Sequence, residues 1–215
     1  VPSLLGYYGC SLFQKVFMSE SSDWLPLFPL SQPLFPGLYL DLQIFEQRYI
    51  KLVSSSMREN FPFGICAIED GSETGEASRL FSIGVEVQIT DFSQLDNGLL
   101  GITVEGQKRF EIEETEIDPD GLVRAGIKYI KPDLDEPIPE SCSGLEELYT
   151  ELRNHPEVKR RLPEVEKVNC VGLGNGLAQI LPMSIEERIH CLSMNDAMGR
   201  LEFLIDHIQT LSSPV

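Results

Sequence analysis

The chain has 215 residues, and with 42% hydrophobic and 24% charged side chains it is ordinary globular material that can bury a core, not a disordered tail. Its 34 acids against 17 bases leave a net charge of −17, which repels a phosphate backbone and argues against nucleic acid as a partner. Five cysteines at long, irregular spacings contain no C-x-x-C pair. Free thiols in a reducing cytoplasm fit that pattern, and no apolar run reaches the ~18 residues that a membrane span requires.

Residues 1–23 are expected to be a poorly ordered N-terminal extension. The start, Val1 to Phe17, is a poor secretory leader, because no Lys or Arg precedes its apolar part and Tyr7-Tyr8-Gly9-Cys10 is too bulky for a cleavage box. Met18 is the expected native start. The stretch "PLFPLSQPLFP", Pro26 to Pro36, then gives Pro-Leu-Phe-Pro twice. Such spacing suits a polyproline ligand, but Leu25, Leu27 and Leu30 read as a strand cut by prolines, which belongs at a sheet edge or a bulge. Pro36-Gly37 marks a turn.

Leu38, Leu40 and Leu42 alternate with Tyr39 and Asp41 as a second strand. Phe45, Tyr49, Leu52, Val53 and Met57 then fall on one face of an amphipathic helix, with Glu46 favouring its N-terminus and Arg48 solvated. Phe63 to Ile68 reads as an inner strand, Glu69 to Ser78 as a polar loop, and Phe81 to Phe92 as an alternating strand. Asp96-Asn97-Gly98 predicts a hairpin whose two central residues need positive φ. The strand beyond it carries Ile102, Val104, Phe110 and Ile112, and Asp118-Pro119-Asp120-Gly121 turns it into Leu122 to Ile130. Within it, Gly106-Gln107-Lys108-Arg109 is a rare basic spot, suited to an anion or to neutralising Glu105 and Glu111. Six strands and one inserted helix over residues 24–140 predict a small, mostly antiparallel barrel or sandwich.

Lys131 to Gly144, with three prolines and four acids, has the composition of a linker. Beyond it the period changes to 3.6, and residues 141–215 predict a helical bundle. Ser143 with Glu146 and Ser184 with Glu187 are capping-box signatures, and Asn195 is the expected cap of the last helix. Ile185, Ile189 and Leu192 should face inward on one helix, and Met198, Leu201, Ile205 and Ile208 on the last. A helix expected from Val165 to Leu181 contains Gly172, Gly174 and Gly176, so either it breaks there or small residues are needed for close packing. No preceding strand and no following Lys-Ser/Thr supports a phosphate loop.

Neither a Walker A motif, nor a G-x-S-x-G elbow, nor H-E-x-x-H occurs. His155, His190 and His207 are isolated, so no metal and no cofactor is expected. His190 and Cys191 point to different helix faces, and no base is placed beside Cys66 or Cys191. A protein without catalytic function is the expectation.

The order "LPLFPL", "LFPG", "LDLQIFEQRYIKL", "FG", "ITVEGQKRFEI" resembles the N-terminal substrate-recognition domain of the Lon ATP-dependent protease family. The later "GLAQILPMSIEERIHCLSMNDAMGRLEFLIDHI" is similar to the helical end of that domain, so the resemblance runs from about Trp24 to about Leu211. It implies an α+β fold: a six-stranded PUA-like pseudo-barrel with one inserted helix, followed by a small C-terminal helical bundle. In the family this domain helps to capture unfolded or tagged proteins ahead of an ATPase motor and a Ser-Lys peptidase. The sequence ends before either module, so the expectation is a standalone, non-catalytic module. Its expected partners are unfolded or exposed apolar protein segments, with a Lon protease as a further candidate and an adaptor or decoy role. Tyr39, Arg48, Tyr49, Phe63 and Arg109 are the expected contacts, near a cleft between barrel and helices. The alternative is an RNA-binding PUA-like module, because that barrel type also hosts RNA recognition.

Overall fold

The computed structural model describes residues 23–73, 79–134, 136–163 and 168–212. Met18, Cys10 and all of the expected extension except Asp23 lie outside them, as do residues 74–78 of the polar loop. Six strands come first, β1 (Asp23–Leu30), β2 (Tyr39–Ile44), β3 (Phe63–Asp70), β4 (Arg79–Gln94), β5 (Leu100–Ile117) and β6 (Val123–Tyr129), with α1 (Gln47–Glu59) between β2 and β3. The helices α2 (Ser143–Arg153), α3 (Pro156–Lys159), α4 (Cys170–Ile180), α5 (Ile185–Ser193) and α6 (Ala197–Ser212) follow. This is the α+β architecture expected from the sequence.

The sheet order is β2-β5-β4-β3-β1-β6, and β6 pairs again with β5. Five strands therefore close a ring, and β2 is attached beside it. β5 serves both because its 18 residues divide the work: Leu100 to Glu105 pair with β2, and Phe110 to Ile117 pair with β6. Closure removes sheet edges that would otherwise invite other strands.

β1 corrects the edge-strand expectation, since it lies inside the ring. Asp23 to Pro26 pair with β6, whereas Leu27 to Leu30 pair in parallel with β3. Each half thus has one laddered side, and a proline nitrogen facing the other side forfeits no ladder bond. The hairpin turns correct a second expectation. At both Asp96-Asn97-Gly98 and Asp118-Pro119-Asp120-Gly121 only the glycine has positive φ, 79° at Gly98 and 84° at Gly121. Gly98 N donates to Leu95 O and Leu95 N to Leu99 O, and Gly121 and Asp118 repeat the pattern with Asp118 and Leu122. These are type I turns followed by a left-handed glycine, a geometry that leaves Asn97 unstrained.

The buried face of α1 is Tyr49, Leu52, Val53 and Ser56. Phe45 precedes the helix and is 55% exposed, and Met57 lies 39% exposed on its flank, so both leave the predicted face. In the helical half, Ser143 forms no capping bond because a 3-10 turn at Glu140–Cys142 runs straight into α2. Ser184 and Glu187 do form the capping box. α6 is capped by Asp196, whose Oδ1 accepts from Met198 N at 3.0 Å, in place of Asn195. Its inward residues are Ala197, Arg200, Leu201 and Leu204, while α5 buries Arg188, Cys191 and Leu192. The predicted stripes are rotated because arginines take inward positions.

α4 begins at Cys170 and runs unbroken through its glycines, which resolves the two expectations in favour of close packing. A Cβ on Gly176 would lie 2.4 Å from Tyr149 Cε2, and one on Gly174 3.1 Å from Arg200 Cδ. The other face of α4 holds the second Pro-Leu-Phe-Pro. Gln179 accepts from Phe35 N and donates to Pro33 O, and Asn175 donates to Pro36 O. Leu34 and Phe35 are buried beneath it. One hydrophobic core consequently joins Phe35, Val85 and Leu38 of the barrel to Leu173, Leu177 and Leu201 of the helices.

Candidate functional site

The five expected contact residues have different surroundings. Tyr49 stacks on Phe28 at 4.1 Å between ring centroids, and Phe28 lies 6.4 Å from Phe63. Phe63 is fully buried, so this aromatic cluster is core and offers no surface. Burial pushes the Tyr49 phenol up to about 12. Arg48 is not solvated as expected: it pairs with Glu46 at 2.9 Å and donates to Gly121 O at 2.9 Å, tying the start of α1 to the β5–β6 turn. Tyr39 is half-buried at the head of β2, where its N–H donates to Arg161 O. Of the five, only Arg109 lines one of the cavities described below.

Arg109 does not neutralise its strand neighbours. Its guanidinium crosses from β5 to the helices, donating to Leu192 O and Met194 O and pairing with Asp133 at 2.5 Å. Asp133 also pairs with Arg200 at 2.7 Å, and Arg200 donates to Cys191 O and Met194 O. Two arginines thus satisfy the open carbonyls at the C-terminus of α5, where the helix dipole favours cations. Desolvation lowers the pKa of Arg109 from its ordinary value, with Asp133 acting in the opposite sense. The segment predicted as a linker is mostly exposed but tied down at two points: the Asp133 side chain is buried, and Glu136 O accepts from Cys170 N.

Three cavities adjoin, sharing wall residues. The first, about 480 Å³, lies between α1 and β4 and is lined by Met57, Phe61, Ile89, Phe92, Glu86 and Lys108. A second, about 290 Å³, shares Asp91 and Phe92 with it and extends to Asp41 and Leu42 of β2. The third, about 450 Å³, shares Gln107 and Lys108 with the first and lies at the seam with the helices. Its walls include Pro36, Tyr129, Ile130, Pro132 and Val171. Phe92 is 60% exposed where the first two meet. In sequence Phe92 is merely the end of an alternating strand. A register shift between Ile89 and Asp91 carries no sequence signal and governs where this end of β4 points.

The thiols are remote from such chemistry. Cys66 and Cys191 are fully buried, and burial pushes the Cys66 thiol well above its ordinary range and Cys191 up to about 11. Neither is a ready thiolate near neutral pH. Among the described residues no group of three or more His, Cys, Asp and Glu is placed to hold a metal, and no helix is long and apolar enough to cross a membrane.

The family profile of the ATP-dependent protease La (LON) substrate-binding domain matches residues 24–210. The chain belongs to that family. The Lon protease of Treponema pallidum (strain Nichols) is 25% identical over 191 residues, which span 85% of this chain and 22% of that protein. The Lon protease of Bacillus thuringiensis (strain Al Hakam) is 25% identical over 211 residues, 94% of this chain and 26% of that protein. The chain therefore spans about a quarter of the length of these Lon proteases. Among solved structures, the Lon N-terminal domain protein from Xanthomonas campestris superposes with a TM-score of 0.68 at 31% identity, covering 85% of this chain and 97% of that one. The N-terminal domain of the Mycobacterium avium complex Lon protease superposes with a TM-score of 0.59 at 15% identity, a likeness of fold.

Proposed function

We propose that this chain recognises protein substrates by taking exposed apolar segments of non-native polypeptides along the cavities shared by α1, β4 and β5. The observation that carries this reading is the exposed Phe92 at the junction of two adjoining cavities, with Met57, Phe61 and Ile89 beside it. Large apolar side chains left open in a concave, polar-rimmed surface mark an interaction site. The family's substrate-binding description supports the same class of partner. Arg109 remains a contact residue at the seam, while Tyr39, Arg48, Tyr49 and Phe63 act by positioning the strands and α1. In a cell the module would deliver such clients to a Lon protease as an adaptor.

The test is capture of a permanently unfolded, carboxymethylated model protein by the parent chain and by Phe92→Ser/Met57→Ser. The variant, altered only at exposed positions, is expected to bind roughly tenfold more weakly, the loss of one or two apolar contacts. Unchanged capture would remove the groove from the proposal. The RNA alternative gains no support from the comparisons, and the net charge of −17 opposes it.

A further inference from the structure

We infer that the seam cleft is a distinct subsite for the free C-terminal carboxylate of a polypeptide whose last side chain is apolar. This rests on the substrate-recognition role proposed above and names the part of the client that the cleft takes. The cleft's volume, about 450 Å³, lies in the range of ligand pockets. Pro36, Ile130, Pro132 and Val171 supply an apolar body to it.

Its charge is opposite to that of the molecule. Lys108 and Lys131 both line it, both are exposed, and among the described residues neither is paired with a carboxylate. The Lys108 ammonium lies 5.1 Å from the centre of the Tyr129 ring, which keeps it at the mouth of the cleft. Arg109 and Asp133 line the cleft as well, and the single Asp133 carboxylate is shared between Arg109 and Arg200, so that network holds one positive charge in excess. The adjoining cavities hold more acid: the first sets Glu86 and Asp91 against the shared Lys108, and the second has Asp41 and Asp91 with no cation. An anion on this acidic protein is therefore favoured at the seam and opposed beside it.

The apolar walls select among anions. A phosphate would bring two charges and no apolar body to a surface of proline and aliphatic side chains. An acidic side chain in mid-chain would bring backbone amides on both sides into the cleft, where Pro36 and Pro132 have no N–H to offer. A chain end brings its carboxylate, one apolar side chain and the fewest unsatisfied amides, so it fits where a through-going strand does not.

The experiment is fluorescence anisotropy with a labelled short peptide ending in Leu-Phe, prepared as the free acid and as the carboxamide, with decanoate as a competitor. The free acid is expected to bind roughly tenfold more tightly, the scale of a charge-assisted contact. Lys108→Glu/Lys131→Glu, at two exposed positions, is expected to abolish that preference, and Phe92→Ser/Met57→Ser to leave it intact. Equal affinity of acid and carboxamide, a preference that survives in the lysine variant, or binding of decanoate with neither peptide bound overturns the inference. Failure of the parent chain to capture an unfolded protein while the acid preference persists overturns only the broader reading, so the two fail separately.

Discussion

Gly144 and Gly176 are both helical glycines, and they should answer alanine in opposite ways. A Cβ on Gly144 meets nothing within 4 Å, so Gly144→Ala is expected to stabilise by ~0.5–1 kcal/mol through backbone entropy alone. At Gly176 the same gain is offset by the buried Tyr149 ring, a rigid neighbour 2.4 Å from the added atom. Overpacking of this kind costs about 1–3 kcal/mol, so Gly176→Ala should come out destabilised in urea unfolding. Sequence left two alternatives for the glycine run, because helix propensity is local and the ring that decides lies on another helix. Arg48 departs from its expected solvation for a related reason. A charged side chain defaults to solvent in sequence reasoning, and its partner carbonyl sits 73 residues away.

At the scale of elements, helix ends rest on buried arginines. Arg188, 8% exposed, donates to Ala178 O, Gln179 O and Leu181 O, closing the C-terminus of α4. Arg188→Met keeps most of the volume but leaves those carbonyls open in the interior, each costing about 1–3 kcal/mol when unpaired. We expect a loss of roughly 3 kcal/mol with little change in the denaturant slope; a loss below roughly 1 kcal/mol would show that water replaces the guanidinium. Strand alternation, the Ser184–Glu187 capping box and both glycine turns were legible because each is a local pattern. The inner position of β1 was not, since proline signals an edge only where both sides of a strand are paired along its whole length. Side-chain exposure was legible least. Tyr49 and Phe63 belong to an aromatic core, and the exposed Phe92 emerges from a strand irregularity that no residue type announces.

For the whole molecule, the decisive fact is a core shared by barrel and helices. The sequence boundary near residue 140 separates two kinds of secondary structure, yet α4 grips Pro33 to Pro36 and Arg109 reaches the end of α5. The single tryptophan, Trp24 in β1, reports on the barrel, and helical ellipticity reports on the second half. Unfolding followed by the two signals is expected to give one coincident transition. Two separated midpoints would mean that the halves fold independently.

The buried arginines also shape how other molecules approach. Arg109, Arg188 and Arg200 remove three of 17 cationic side chains from the solvent-facing surface, and of the acids in the Arg109–Arg200 network only Asp133 goes with them. At a distance the net charge of −17 still counts in full, and several of the exposed cations, Lys51, Arg58, Arg79 and Arg160, are already paired with carboxylates. Encounter should therefore be governed by ionic strength according to the visitor's own charge. Salt would speed the arrival of acidic polypeptides by shortening the range of repulsion, and slow that of basic ones.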